Sequence, residues 1–386
     1  MAQNNFPGND LSFPLNKLPN KSNSYLRLNT ICPYFTMFPL DYPFEVLKYA
    51  KSNDKVLDPF CGRGTTNFAA RLRGLSSVGI DASPIASAIA ISKFTNTTPE
   101  QIISLCQEIL TDSDKPENVP EGPFWTLCYH SSTLNQICKL RESFSEECNT
   151  DTSIALRALT LGILHGPLGK TVDSYLSNQM PRTYASKPNY SVKYWEERGL
   201  LPKNIDLLEV VKRRAKYSLS SLPPYVDGGI LKEDSRNPIK NSSLPLEEFD
   251  WVITSPPYYN MNTYIPDQWI RNWFLGGNDK VEYSYSKQVS HSSKKKFSSE
   301  LAKVWKSVAD ICNPNANLMI RFGSLPSSPC NPSELLEESL EEANCGWEIN
   351  NIKSAGTAEN GRRQSEQCVK NLGKAIEEID LHAILR

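Results

Sequence analysis

Short apolar runs, each closed by a turn residue, alternate with helical spacings along much of this chain. Lys55-Val-Leu-Asp58 and Ser77-Val-Gly-Ile-Asp81 read as buried strands. Between them, Thr65 to Gly74 has helical spacing, with Gly74 as its C-terminal stop. Pro84 to Phe94 is an Ala/Ile-rich helix. Thr98-Pro99-Glu100-Gln101 has the form of a capping box with proline at the first helical position, opening a helix to Leu110. Upstream, Pro39 to Ala50 has helical spacing, and the Asn-, Pro- and Ser-rich residues 1–30 are expected to wrap the surface.

Between 111 and 228 the rhythm breaks. Helices are predicted near 133–147, 152–165 and 205–221, with an aromatic, basic and loop-rich stretch over 181–202. This block reads as a mostly helical insertion; irregular padding of the core is the alternative. The alternation then returns. Ile230-Leu231, Phe249 to Ile253 and Ala316 to Phe322 read as strands. Glu300 to Cys312 and Ser333 to Ala343 read as helices, the first with Leu301, Val304, Trp305, Val308 and Ile311 on one face. Trp347 to Ile352 and Ile379 to Leu385 are candidate closing strands. Strands alternating with helices predict an α/β fold of Rossmann-like, doubly wound type. The predicted organisation is a cofactor half over 1–110, the helical insertion over 111–228 and a catalytic half over 229–386.

At 386 residues the chain can bury a full core. Its net charge of −1 provides no whole-surface basic field, so nucleic-acid binding requires local patches. The ten cysteines include no Cys-x-x-Cys, which argues against a zinc ribbon or a disulfide framework and for a reducing cytosol. The four histidines show no ligand spacing, and no metal is expected. No apolar run reaches the ~18 residues of a membrane span, and the N-terminus does not pattern as a secretory signal; a cytoplasmic location is expected.

Two stretches carry the chemistry. Asp58-Pro-Phe-Cys-Gly-Arg-Gly-Thr-Thr66 lies between a strand and a helix, where Gly62 and Gly64 let the backbone approach a ligand. Asp81 follows at the end of the next strand, and a carboxylate there can accept from both hydroxyls of a ribose. An ordinary tight turn is the plain alternative. A nicotinamide dinucleotide is disfavoured because Gly64-Thr-Thr-Asn67 lacks the third glycine. The second stretch, Thr254-Ser-Pro-Pro-Tyr-Tyr-Asn260, directly follows an apolar strand, which argues against an exposed proline-rich ligand. An exocyclic amine on a base is a poor nucleophile because its lone pair is delocalised into the ring. The Ser255 hydroxyl and the Pro256 carbonyl are suited to accept from it and aim it, with Pro256 and Pro257 holding φ fixed. Tyr258 is suited to stack on the base, worth ~1–3 kcal/mol against the few kcal/mol that flipping costs.

The first stretch resembles the first motif of amino-group DNA methyltransferases, the cytosine-N4 and adenine-N6 enzymes. The resemblance implies S-adenosylmethionine as cofactor, with Asp58, Gly62 and Gly64 at its methionine end and Phe38, Phe60, Thr65 and Thr254 beside them. Val78-Gly-Ile-Asp81 is similar to the second motif, whose carboxylate takes the ribose. Leu231-Lys-Glu-Asp-Ser-Arg236 resembles the third, which places Asp234 on the adenine amino group, although Glu233 stands where the family usually has glycine. Phe38-Pro39 resembles an aromatic-proline pair upstream. Thr254 to Tyr258 resembles the catalytic loop, and Tyr264 to Gly276 a segment that follows it in a subgroup. The motif order is the non-permuted one, and an antiparallel closing hairpin is implied. The insertion, a candidate target-recognition region, falls between the second and third motifs, unlike the commoner placements. Serine before Pro-Pro-Tyr is more frequent in cytosine-N4 enzymes, so methylation of cytosine N4 in double-stranded DNA, with the base flipped, is the expectation. Adenine N6, an RNA or tRNA base, and a catalytically silent binding module remain alternatives. A restriction endonuclease or other defence partner is implied by the resemblance alone.

Two basic stretches are candidate DNA contacts. One runs from Arg182 through Lys187, among tyrosines and Trp195. The other contains Lys287, Lys294, Lys295 and Lys296, close behind the catalytic loop. A merely solvated face is the alternative for each.

Overall fold

The computed structural model describes residues 12–34, 39–146, 148–168, 171–180, 187–237, 248–260, 265–282, 293–325, 328–357 and 377–386. Its strands are β1 Val56–Asp58, β2 Ser77–Ile80, β3 Gly228–Leu231, β4 Phe249–Thr254, β5 Cys312–Gly323, β6 Trp347–Thr357 and β7 Glu377–Leu385. The helices are α1 Asp41–Val46, α2 Thr65–Leu72, α3 Pro84–Ala90, α4 Pro99–Thr111, α5 Pro123–Cys128, α6 Ser131–Glu146, α7 Asp151–Ile163, α8 Pro188–Glu196, α9 Leu207–Leu219, α10 Ile265–Phe274, α11 Lys294–Ala309 and α12 Pro332–Ala343.

The seven strands form one sheet in the order β3-β2-β1-β4-β5-β7-β6. The pairs from β3 to β5 are parallel, and β7 runs antiparallel between β5 and β6. This is the doubly wound α/β fold with the closing hairpin. The chain builds outward from β1 to β3, then returns to the centre to place β4 on the other side of β1. Strand order therefore reverses between β1 and β4.

Successive side chains of a strand face opposite sides of the sheet. Val56, Trp251 and Ile253 enter one apolar cluster, while Leu57, Val252 and Leu318 enter another. Helices α11 and α12 cover the second face through Phe297, Leu301, Trp305 and Leu336. The first face receives α2, α3, α10 and the helices of the 111–228 block. That block is helical, as its spacing predicts, but its buried residues share one cluster with the cofactor half instead of forming a core of their own.

Local signals explain most boundaries. The α4 capping box forms in both directions: the Gln101 N–H donates to Thr98 Oγ1 at 3.2 Å, and the Thr98 N–H donates to Gln101 Oε1 at 2.9 Å. Helix α11 begins at Lys294, ahead of the expected start near Glu300, because the Ser293 hydroxyl accepts from the Lys296 N–H and caps it. Two expectations are refined. The described part of the N-terminal segment, 12–30, is mostly exposed or half-buried, as expected of a surface wrap, but it is pinned to the first cluster by buried Leu15 and Leu28. The 181–202 stretch contains α8, opened by Pro188 and held by the fully buried Trp195 against Phe124.

Arg71 on α2 ties the interior together. It is buried, and its guanidinium donates to four carbonyls: Lys93 (2.6 Å), Thr95 (2.9 Å), Pro223 (2.7 Å) and Pro224 (3.0 Å). These bonds join the end of α3 to the segment that leads into β3. Replacement with Met would leave several buried carbonyls unpaired, at about 1–3 kcal/mol each. Arg71→Met is expected to lower unfolding stability by roughly 3 kcal/mol or more, read as a shift of the urea midpoint at constant m. An unchanged midpoint would show that these four carbonyls do not hold the junction.

Candidate active site

In an open α/β sheet, ligands bind beyond the carboxyl ends of the strands where strand order reverses. Here the loops after β1 and β4 leave the sheet on the two sides of that reversal. Asp58 ends β1 and Thr254 ends β4. The Asp58 carboxylate has no exposed surface. It accepts from Thr66 Oγ1 (2.6 Å) at the start of α2, from Thr254 Oγ1 (2.7 Å) and from the Phe60 N–H (3.1 Å). Burial pushes its pKa up to about 6, against the lowering effect of these three donors. Asp58 and Thr254 were both expected to line the cofactor. Both are enclosed, with their polar atoms spent on each other, so they reach a ligand only through the loops they hold.

Asp81 is placed differently. It lies half-buried just beyond β2, accepting from the Gly62 N–H at 3.0 Å and the Ser83 N–H at 2.8 Å. Its pKa is pushed up to about 7, mainly by burial, with the Asp58 charge adding to the rise and the two backbone donors opposing it. The approach of loop and strand requires Gly79. A Cβ there would stand 2.7 Å from Asn67 Oδ1 and 2.8 Å from the Cys61 side chain. Tyr34, which the motifs did not single out, stands beside Asp81 and Ser83.

The β3 loop is tied to the β1 loop by Ser235, whose hydroxyl donates to the Pro59 carbonyl. Asp234 is half-buried and clasped by Arg236, with Nε 2.8 Å from Oδ1 and 3.1 Å from Oδ2. Arg236 in turn pairs with Glu300 on α11. The Arg236 backbone N–H also donates to Oδ1 at 3.0 Å, so the carboxylate is held in a fixed orientation.

In the loop after β4, Ser255, Pro257 and Tyr258 are half-buried and Pro256 is buried. The Tyr258 hydroxyl donates to Glu378 on β7, and its ring meets Phe322 edge-on with centroids 5.5 Å apart. Glu378 is paired with Gly323 in the β5–β7 register, and the ring passes 3.2 Å from where a Gly323 Cβ would sit. No sequence signal pointed to Glu378, because only the antiparallel hairpin brings it here. Tyr259 meets Phe297 edge-on at 5.6 Å, and Phe60 meets Trp305 edge-on at 6.4 Å. Helix α11 therefore underlies the β1, β3 and β4 loops, through Trp305, Glu300 and Phe297 respectively.

Thr65 is buried in the first turn of α2, Gly64 is its left-handed N-cap at φ 79°, and Gly62 faces open space. Lys294, Lys295 and Lys296 are exposed on the first turn of α11. Lys187 is exposed at the start of α8, in the helical layer of the first face. Phe38, Arg182 and Lys287 lie outside the described residues. Among the described residues there is no metal-ligand cluster, the cysteines are free thiols, and no helix is long and apolar enough to cross a membrane.

Residues 15–92 match the family model described as DNA methylase. No curated protein matches the chain. Among solved structures, the rRNA methyltransferase aviRa from Streptomyces viridochromogenes is similar at 12% identity and a TM-score of 0.35, covering 92% of this chain and 87% of that one. TrmN from Thermus thermophilus is similar at 8% identity and a TM-score of 0.36, covering 94% and 53%. Magnesium protoporphyrin IX methyltransferase (ChlM) from Synechocystis PCC 6803, with bound SAM, is similar at 9% identity and a TM-score of 0.33, covering 95% and 92%. The family match, the strand order and the loop after β1 agree on a Rossmann-like methyltransferase that uses S-adenosylmethionine.

Proposed function

We propose that this protein is a DNA amino-methyltransferase, transferring a methyl group from S-adenosylmethionine to an exocyclic amino group of a flipped base, with cytosine N4 as the preferred target. The observation that carries the reading is the pairing at the switch point. The Gly62–Gly64 loop and the Ser255–Tyr258 loop flank it, fastened together from beneath by Asp58.

The residues present fit the cofactor. Asp81 keeps acceptor capacity beyond its two backbone donors and suits the ribose hydroxyls. Asp234, aimed by Arg236, suits an adenine amino group. The open space at Gly62 admits close approach. S-adenosylmethionine supplies a methyl group already activated on a sulfonium. The chain's own task is to aim the amine: Ser255 Oγ and the Pro256 carbonyl accept its hydrogens, and Tyr258, anchored by Glu378, offers a fixed edge to the base.

DNA is favoured over a small substrate by the start of α11. Three lysines there oppose the helix dipole, and none has an ion-pair partner among the described residues. Phosphates would offset that cost, and Phe297 on the same turn touches Tyr259 of the catalytic loop. The helical block over 111–228 is the proposed target-recognition region, with Arg182 and Lys187 as its proposed contacts. A nuclease partner and a cytoplasmic location stay proposals of the family resemblance.

Three outcomes test the reading. Labelled S-adenosylmethionine with unmethylated DNA should yield N4-methylcytosine on nucleoside digestion, and Ser255→Ala should abolish it. N6-methyladenine would correct the base, and label in RNA alone would overturn the DNA target. Replacing Lys294, Lys295 and Lys296 with Ala should flatten the slope of log K against log salt by roughly 2–3, and an unchanged slope would remove this turn from the interface. Cofactor affinity should rise with pH through about 7, because the ribose hydroxyls favour the ionised form of Asp81 and below that pH a proton must first be lost. Asp81→Asn should bind weakly with no such pH dependence; a retained dependence would assign it to another group.

A further inference from the structure

Arg63 lies between the two loop glycines and has only 8% of its surface exposed. Among the described residues no carboxylate and no hydrogen-bond acceptor meets its guanidinium, and its Nε is sealed without a partner. Burial lowers its pKa only to about 10, so it carries its charge at neutral pH. The neighbouring charged group is another cation. Lys93 is fully buried, its Nζ donates to the Leu28 carbonyl at 3.0 Å, and its stem passes 3.1 Å from where a Gly64 Cβ would sit. No carboxylate acts on either side chain. An unpaired buried charge costs several kcal/mol by desolvation.

A second observation points the same way. Helix α2 begins directly after Gly64, and no side chain caps its first turn. Uncapped N–H groups and the positive end of the helix dipole favour an anion. An enclosed cation without a partner among the described residues and an uncapped helix start therefore flank Gly64 in the chain, while the Gly62 N–H is bonded to Asp81.

We propose that Arg63 is the counter-ion for the α-carboxylate of the cofactor's amino-acid end. The inference rests on the methyltransferase reading above and adds a specificity residue to it. A phosphate of duplex DNA is too bulky to reach a side chain this enclosed. A carboxylate at the tip of a ligand whose ribose is held by Asp81 enters along the loop. Arg63 then discriminates for the intact amino-acid end, in both S-adenosylmethionine and its demethylated product, and against nucleosides lacking it.

The test measures binding of S-adenosylmethionine and of decarboxylated S-adenosylmethionine to the wild type and to Arg63→Met. The variant should weaken the intact cofactor roughly ten- to a hundredfold, as loss of a charge-assisted bond does, and leave the decarboxylated one unchanged. Arg63→Lys should recover part of the loss. Without ligand, Arg63→Met should melt no lower than the wild type, because it removes an unpaired buried charge. Equal loss for both cofactors, no loss for either, or a variant that unfolds would each overturn the proposal, the last by showing the guanidinium to be structural. A wild type that binds neither cofactor would overturn the methyltransferase reading itself, and this inference with it.

Discussion

One buried carboxylate holds the centre of this protein. Asp58 sits where strand order reverses, without exposed surface, and spends its oxygens on the start of α2, the end of β4 and its own loop. A charge removed from water must be hydrogen-bonded to persist, and these partners include one strand end, Thr254, that is distant in the chain. The bonds set how far apart the two functional loops lie. Hydrogen bonds to charged groups are also the stronger kind, which suits a junction that must not shift when a ligand arrives.

Around that centre the two faces of the sheet divide the work. Helix α11 acts as a keel on one face, touching three loops through an aromatic contact, an ion pair and a second aromatic contact. The other face receives the helical block. Helix α10, which follows the β4 loop in the chain, is gripped there, with ring centroids of Trp273 and Trp125 4.5 Å apart and those of Trp269 and Phe124 4.9 Å apart. Arg271 adds bonds to the carbonyls of Leu161 and Pro33, so α10 is bound to both the helical block and the N-terminal segment.

Charge is distributed unevenly in the same way. The chain is close to neutral overall, yet cations with no ion-pair partner among the described residues stand at the start of α11 and in the Gly62–Gly64 loop. The acidic groups near the site are committed: Asp58 to hydroxyls and a backbone N–H, Asp234 to Arg236, Glu378 to Tyr258. Asp81 is held by backbone N–H groups alone. A site with spare positive charge and one lightly held carboxylate suits a ligand that brings both hydroxyls and an anion.

Much of this was legible in the chain. Period and punctuation placed the strands from β1 to β7, because buried parallel strands must be short and apolar and loops must turn on glycine or proline. The α4 cap was legible because it needs only four consecutive residues. The motif positions of Asp81 and Ser255 followed from their places at strand ends. Other features depend on residues far apart in the chain. Whether a carboxylate faces a ligand or the core depends on donors from other elements, which is why Asp58 and Thr254 turned inward. Glu378 reaches Tyr258 only through the β5–β7 register, and Arg63 is notable only because no partner meets it among the described residues. Sequence by itself determined the strand–helix alternation and the chemistry each loop can carry, since both arise from neighbouring residues. Tertiary structure alone decided which polar groups are spent on each other and which are left for a ligand, since burial and pairing are properties of distant segments brought together.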